Sequence, residues 1–293
     1  MEPFVQTNVQ EVGVLFLSKW MEKDPGLTAG ISSRGKGHSD APYASLNCGL
    51  HVGDDVQRVV LNRQALAKAV GVPLNRWTFG EQVHGCRVQR VTKDDAGRGT
   101  LTREDAFQGA DAFITDEPGL VLGGLFADCV PLYFYDPVRR AVGLAHAGWR
   151  GTVLKAAEKT IMAMQEHLGS RPEEIRAAIG PSIGRCCYEV DESVATMVRT
   201  ELNGLADTGL EAKEAGKFRL DLQELNRQIM IKAGILPFHI EISTWCTACR
   251  PDLFFSHRRE QGRTGRMAAW IGLKEDDKRG GVHDELAGET GRD

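Results

Sequence analysis

Residues 127–152, ADCVPLYFYDPVRRAVGLAHAGWRGT, carry the pattern that decides the fold. Two apolar runs flank a polar segment that begins at Asp136, as expected for two strands joined by a turn. Pro137 stands at the second position of that turn, where its fixed backbone angle is favourable. The sequence therefore predicts a β-hairpin in which Pro137 and Val138 form the loop and Asp136 lies opposite Arg139.

The predicted hairpin brings Cys129 and His146 together. With the two-residue loop they lie directly opposite one another, with Cβ atoms about 5 Å apart. A register shifted by two residues keeps them on one face as diagonal neighbours, whereas a shift by one separates them. A thiolate and an imidazole at this distance can share a Zn²⁺ ion or form a Cys–His nucleophile pair. An inert buried cysteine beside an unrelated histidine fits the same spacing.

The hairpin runs directly into a glycine-rich turn and a predicted helix. Gly148 and Gly151 allow close backbone approach, and the helix following Thr152 would present free N–H groups to an anion such as phosphate. Arg150 would add a bidentate contact to that anion. The alternative is an ordinary strand-to-helix turn with Arg150 in solvent. A second basic cluster, at residues 258–266, is open to the same two interpretations.

A third metal ligand is offered by His84. It lies in the segment GEQVHG at residues 80–85, within a run that is predicted to be a strand. Three protein ligands with one open position are typical of a catalytic zinc site. His84, Cys129 and His146 are therefore the candidate metal ligands.

The seven cysteines do not form a disulfide pattern. An odd number scattered along a long chain, without a secretion signal, predicts a reducing cytoplasm. Cys246 and Cys249 have CxxC spacing, but the only close second pair, Cys186 and Cys187, is adjacent rather than spaced. We therefore interpret the CxxC segment as a non-redox lining of a pocket.

Strand-like runs outnumber helical ones and several are neighbours in sequence, which favours an α+β layered sandwich over regular βαβ winding. Helices are predicted at about 55–70, after Thr152 as far as 168, and at 221–234. Residues 1–273 are expected to form one domain, and the charged, glycine-rich residues 274–293 a disordered tail. Strands are predicted at 12–17, 78–91, 111–114, 120–127, 132–135, 141–147, 175–179, 239–243 and 267–271.

Charge and hydropathy give no support for two classes of partner, nucleic acids and membranes. The net charge of −4 gives no reason to expect a nucleic-acid ligand. The chain has no apolar run near the roughly 20 residues that a membrane span requires. These features predict no membrane or nucleic-acid partner and leave the oligomeric state open.

Six short segments, in order and from independent parts of the chain, resemble the YlmD/YfiH-type laccase-domain family. They cover nearly the whole chain, from about residue 30 to 272. They are YASLN at 43–47, GEQVHG at 80–85, ADCVP at 127–131, HAGWRG at 146–151, IGPSI at 179–183 and SHRR at 256–259.

The resemblance implies both a fold and an activity. The family has a layered α/β/β/α sandwich with mixed sheets, similar to that of Cys–His deamidases of the cytotoxic necrotizing factor type. Its members, formerly labelled multicopper polyphenol oxidases, are described as purine nucleoside phosphorylases with adenosine deaminase activity. Their substrates are adenosine, inosine and S-methyl-5′-thioadenosine with phosphate. Their zinc ligands correspond to His84, Cys129 and His146.

The resemblance also suggests roles for residues around the metal. Arg150 would hold phosphate, and Asn47 and Gln82 would hydrogen-bond the ribose or the base. Asp128 would assist proton transfer, although next to Cys129 in a regular strand it would face the other way unless the strand is bulged.

Three other functions fit some of these residues. A copper oxidase would use the same ligands, since imidazole and thiolate accept Cu²⁺ as well as Zn²⁺. However, the chain has eight histidines and no His-x-His, few for a set of several copper ions. A metal-free Cys–His hydrolase or deamidase would survive chelation and be inactivated by alkylation of Cys129. A non-enzymatic protein would bind nucleoside and release no product.

Overall fold

The computed structural model describes residues 1–9 and 12–275, and within them the chain forms seventeen strands. In chain order they are β1 (Phe4–Val9), β2 (Val12–Leu17), β3 (Leu27–Ser32), β4 (Trp77–Thr78), β5 (Gly80–Glu81), β6 (Val88–Arg90), β7 (Phe107–Gln108), β8 (Ala112–Thr115), β9 (Leu120–Phe126), β10 (Val130–Asp136), β11 (Ala141–Ala147), β12 (Arg176–Ile179), β13 (Glu189–Asp191), β14 (Leu210–Ala212), β15 (Lys217–Leu220), β16 (Ile240–Ile242) and β17 (Met267–Leu273).

Two mixed six-stranded sheets hold most of these strands. The first has the order β1-β2-β3-β17-β9-β4, and the second has the order β16-β12-β10-β11-β8-β6. Each sheet is antiparallel except at edges, where β4 pairs parallel with β9, β6 with β8, and β16 with β12. A three-stranded sheet, β13-β15-β14, and a two-stranded one, β5-β7, complete the topology of the described residues.

Helix 56–70 packs on the outer face of the first large sheet, and helices 156–168 and 222–232 pack on that of the second. The chain forms seven helices within the described residues. They are α1 (Ser18–Lys23), α2 (Val56–Val70), α3 (Trp149–Val153), α4 (Ala156–Leu168), α5 (Glu192–Glu201), α6 (Ala206–Gly209) and α7 (Leu222–Lys232).

Successive side chains of a strand point to opposite faces of its sheet, so each large sheet packs on the other sheet with one face and on helices with the other. On β10, Tyr133 points into the core between the sheets, whereas Leu132 and Phe134 point to the helical side, where α4 and α7 pack. On β17, Ile271 points inward while Trp270 packs towards α2. Because strands buried on both faces are apolar at every position, the sequence reads as continuous apolar runs. The layers are helix, sheet, sheet and helix, so the predicted α/β/β/α sandwich with mixed sheets is confirmed.

The predicted hairpin is confirmed, but its predicted loop is wrong. The strands end at Asp136 opposite Ala141, so four residues, 137–140, form the connection. The Asp136 carboxylate accepts hydrogen bonds from the backbone of Val138 (2.8 Å) and Arg139 (3.0 Å), which stabilises this wider turn. His146 therefore pairs with Pro131 instead of Cys129. This is the shift by two that keeps Cys129 and His146 diagonal neighbours.

Two further boundaries differ from prediction. The continuous strand predicted at 78–91 is split into β4, β5 and β6, and the loop between the last two contains His84 with a φ of 59°. The helix predicted after Thr152 begins earlier, at Trp149, and is interrupted where Lys155 adopts a left-handed conformation with a φ of 57°. The other two helices are confirmed, and Asp221 caps α7 by accepting from the Glu224 N–H at 3.0 Å.

The predicted disordered tail lies outside the described residues except for Lys274 and Glu275. The backbone N–H of Lys274 donates to the carbonyl of Gly26. None of the helices in residues 1–9 and 12–275 combines the length and the apolarity that a membrane span needs.

Candidate active site and metal centre

A cavity of about 510 Å³ opens at the end of the sandwich, where His84, Cys129 and His146 meet. Cys129 lies on the three-residue connection, 127–129, that carries the chain from β9 in one sheet to β10 in the other. His146 is near the end of β11, and His84 is in the loop between β5 and β6. The three candidate ligands thus come from separate parts of the chain and converge on one wall.

The loop that carries His84 is held by a single carboxylate. Asp111 accepts hydrogen bonds from three successive backbone N–H groups, those of Val83 (3.2 Å), His84 (3.0 Å) and Gly85 (2.8 Å). These bonds fix a backbone that a β-strand could not adopt. No local pattern indicates this role, because in the sequence Asp111 is only the residue before β8.

The same carboxylate orients His146. Asp111 Oδ1 lies 2.9 Å from Nδ1 of His146, and both side chains are buried. This contact assigns the Nδ1 proton to the Asp111 side and directs Nε2 towards Cys129. A carboxylate behind a ligating histidine is the usual outer partner in zinc sites, where it fixes the ring and raises its basicity.

The geometry fits a small thiophilic cation. One ligand atom from each of His84, Cys129 and His146 lies within 4.8 Å of the others, and Cys129 Sγ is 3.9 Å from Nδ1 of His84. Tetrahedral Zn²⁺ with bonds of about 2.0 and 2.3 Å requires N···S separations of about 3.5 Å. A Cβ at Gly148 would lie 2.9 Å from Cys129 Sγ and 3.3 Å from His84 Nδ1, so glycine leaves the space around the ligands open.

Cys129 and His146 are also electrostatically coupled. Burial by itself would raise the pKa of the Cys129 thiol, but the charge and hydrogen bond of His146, aided by His84, lower it to about 6. Burial would likewise lower the pKa of His146, but Cys129 and Asp111 raise it to about 9. Without a metal, the pair is therefore a thiolate and an imidazolium at neutral pH.

Arg150 reaches the cavity from the start of α3. Its exposed guanidinium lines the wall and lies 5.3 Å from the ring centroid of Trp149. The helix that follows the glycine-rich turn is α3, which spans only five residues, and the predicted contact between its first N–H groups and an anion stays a prediction.

Further arginines line the cavity wall. Arg63 was not predicted from the sequence, whereas Arg258 and Arg266 belong to the basic cluster for which two interpretations were given. Arg63 is buried, donates to the carbonyls of Cys48 (2.8 Å) and Gly99 (2.6 Å), and lies 4.4 Å above Phe79. Burial lowers its pKa to about 10, so it stays charged at neutral pH. Of the basic cluster, Arg258 and Arg266 also line the cavity.

Asn47 does not reach the cavity, which corrects its predicted contact with ribose or base. It is fully buried, and its amide is occupied by protein groups. It donates to Asp54 (2.8 Å) and accepts from the backbone N–H groups of Gly49 (2.9 Å) and Arg266 (2.9 Å). Its contacts support a structural role that positions Arg266.

Gln82 and Asp128 do line the cavity, although both are engaged with the protein. Gln82 makes a two-way hydrogen bond with the backbone of Leu125, accepting at 2.8 Å and donating at 3.1 Å. Asp128 has a φ of 88°, so the backbone here is not a regular strand, and Asp128 and Cys129 can both face the cavity. Its carboxylate accepts from Thr247 Oγ1 (2.6 Å), Ser256 Oγ (3.1 Å) and the Arg258 backbone (2.6 Å).

Comparisons with known proteins agree with this fold and show the family. The family model described as multi-copper polyphenol oxidoreductase laccase matches residues 28–274. This chain belongs to that family. It is 46% identical over 251 residues to purine nucleoside phosphorylase YlmD of Geobacillus stearothermophilus, covering 86% of this chain and 92% of the relative.

Further relatives show the same extent of similarity. Purine nucleoside phosphorylase YlmD of Bacillus subtilis is 41% identical over 273 residues, covering 93% of this chain and 98% of the relative. The crystal structure of YlmD from Geobacillus stearothermophilus superposes with a TM-score of 0.89 at 44% identity, covering 94% of this chain and all (100%) of that one. The family predicted from the six segments is confirmed.

Proposed function

We propose that this protein is a zinc-dependent purine nucleoside phosphorylase that acts on adenosine, inosine and S-methyl-5′-thioadenosine, with adenosine deaminase activity as well. The observation that carries the proposal is the convergence of His84, Cys129 and His146 on the wall of an arginine-lined cavity. The names of the relatives supply the reaction class. A volume of about 510 Å³ falls in the range of small-molecule sites.

In phosphorolysis, a phosphate oxygen forms a bond to the anomeric carbon of ribose as the bond from that carbon to the purine nitrogen breaks. The bonding pair leaves with the purine, which takes up a proton. Arg150 and Arg266 line the cavity and would offset the charge of phosphate, and the rings of Trp149 and Tyr188, which also line it, would give the purine apolar walls. Holding both reactants in one cavity supplies the orientation that the displacement needs.

The surrounding residues hold the reacting groups in place. Asp111 fixes the ring of His146 and the loop of His84, and Gln82 ties that loop to β9. We assign Asp128 a positioning role, because three donors occupy its carboxylate; its predicted part in proton transfer gains no support from these contacts. Zn²⁺ held by His84, Cys129 and His146 would act as a Lewis acid and would lower the pKa of water towards ~7, which suits addition of water at the purine amino carbon with loss of ammonia.

The test follows adenosine by chromatography, with and without phosphate, for the wild type and Cys129→Ala. We expect phosphate-dependent release of adenine, phosphate-independent formation of inosine, and loss of both in Cys129→Ala. Cys86→Ala is the matched control, because Cys86 does not line the cavity. Copper or zinc restored to chelated protein would identify the active ion. Absence of product from wild type reconstituted with either ion would overturn the proposal.

A second candidate is a metal-free Cys–His hydrolase or deamidase. It is favoured by one observation: Cys129, His146 and Asp111 form a nucleophile, a base and an orienting carboxylate in series. Chelated protein that keeps full activity and loses it on alkylation of Cys129 would select this function over the phosphorylase.

A further inference from the structure

A second group of soft ligands lies outside the cavity. The sulfur atoms of Cys186, Cys187, Cys246 and Cys249 all lie within 4.8 Å of one another. The adjacency of Cys186 and Cys187 in the sequence gave no expectation of a structural metal, but folding brings the two pairs together. None of the four lines the cavity, so the prediction that the CxxC segment lines a pocket is wrong.

The separations match a tetrahedral thiolate site. Cys249 Sγ is 3.6 Å from Cys186 Sγ and 3.3 Å from Cys187 Sγ. Zn²⁺ bound to four thiolates at about 2.3 Å requires neighbouring sulfurs about 3.8 Å apart. Bringing the four sulfurs onto one ion therefore requires shifts of an ångström or less at each.

Each cysteine pair is presented by a tight turn. The Cys187 N–H donates to the Gly184 carbonyl at 2.9 Å, and the Cys249 N–H lies 3.2 Å from the Cys246 carbonyl. The two turns are tied together, because the Gly184 N–H donates to Cys246 Sγ at 3.2 Å. A backbone N–H directed at sulfur stabilises a thiolate, as outer contacts to metal ligands do.

A single disulfide explains the convergence of the four sulfurs less well than a metal site does. It would join two sulfurs at about 2.05 Å and leave two thiols at the same point without a function. All four cysteines are free in the structure. Convergence of four sulfurs at similar separations is what a closed metal site requires, since such a site takes every ligand from the protein.

We propose that Cys186, Cys187, Cys246 and Cys249 bind a second, structural Zn²⁺ ion. The ion would join two segments that both hold the active-site wall. The Ile183 N–H donates to the Asp128 carbonyl at 2.9 Å, and Thr247 Oγ1 donates to its carboxylate at 2.6 Å. This site is independent of the proposed reaction, because it borders Asp128 without contributing to the cavity.

The experiment measures zinc per chain by mass spectrometry of the element in protein purified under reducing conditions. We expect two ions in the wild type, one in Cys129→Ala and one in Cys246→Ser/Cys249→Ser. Cys86→Ser is the matched control and should keep both. X-ray absorption of the Cys129→Ala protein should show zinc with four sulfur neighbours at about 2.3 Å.

The outcomes separate the two sites. A wild type with one ion that is lost in Cys129→Ala overturns this inference and leaves the proposed function standing. One ion that is lost only in the double variant supports the inference and removes zinc from the cavity. A disulfide among these cysteines under reducing conditions would also overturn it. If the double variant does not fold, the wild-type and Cys129→Ala measurements decide.

Discussion

The two soft-ligand groups on either side of Asp128 use the same chemistry in opposite ways. His84, Cys129 and His146 face a cavity, so a metal ion bound by them would have a fourth position open to solvent or substrate. The four cysteines are held by two turns and would complete a ligand set by themselves. The two groups therefore differ in whether the fourth coordination position is open. Catalytic zinc sites keep that position open, whereas structural zinc sites fill it with a protein ligand. Four predictions test this contrast.

The largest expected effect is loss of activity without loss of the fold. Cys129→Ala should lower kcat/KM for adenosine by about 10³-fold or more, because metal catalysis supplies several kcal/mol. The melting temperature should change far less than in Cys246→Ser/Cys249→Ser, since closed zinc sites stabilise the fold. Kinetics and calorimetry on both variants check this, and the reverse pattern would exchange the two assignments.

Asp111→Asn tests the support behind the cavity site. The amide cannot accept as the carboxylate does from His146 and three backbone N–H groups, so metal affinity or activity should fall about 10–100-fold. Metal titration followed by assay gives both quantities. Asp116→Asn is the control, because Asp116 pairs with Arg90 at the surface. Equal effects in the two variants would argue against a role for Asp111.

Gly148→Ala tests the space around the cavity ligands. The added methyl would lie 2.9 Å from Cys129 Sγ, so we expect about a tenfold loss of metal affinity, roughly 1.4 kcal/mol. The four-cysteine site should keep its ion. Gly35→Ala is the control, because a Cβ there meets no atom within 4 Å. Unchanged affinity in Gly148→Ala would show that the ligands can move away.

The smallest effect concerns the metal-free thiol. The pKa of Cys129 is lowered to about 6, so its thiolate persists above that pH and is lost below it. Alkylation of chelated protein, mapped by peptide mass, should have its midpoint near pH 6 at Cys129. The gain in rate at neutral pH should be only several-fold, because nucleophilicity falls with pKa. A midpoint near 9 would contradict the thiolate–imidazolium pair.

Local pattern was enough to predict an α+β layered sandwich, and the resemblance of six short segments supplied the family and the order of its layers. Apolar runs such as the one on β10 and helix signals such as Asp221 depend on neighbouring residues, which the sequence displays directly. Cys129 and His146 could be placed on one face because a shift by two preserves side-chain direction. The cytoplasmic location and the disordered tail stay predictions.

What the sequence could not predict depends on distant contacts. Asp111 contacts residues 26 to 35 positions away, and the cysteine pairs meet across about 60 residues. Neither has a local signature. The family resemblance suggested that Asn47 contacts the substrate, but its side chain is buried and bonds to Asp54 and to the backbone of Gly49 and Arg266, the last of which is 219 residues away.

The short crossing at 127–129 has a consequence for redesign. One layer of the sandwich is joined to the other within three residues of chain, and that joint carries Cys129. Any substitution that slides the facing sheets, even far from the cavity, would pull the sulfur relative to His146 on β11. Metal affinity should therefore work as a gauge of how the core is packed, and a library of core variants could be ranked by it.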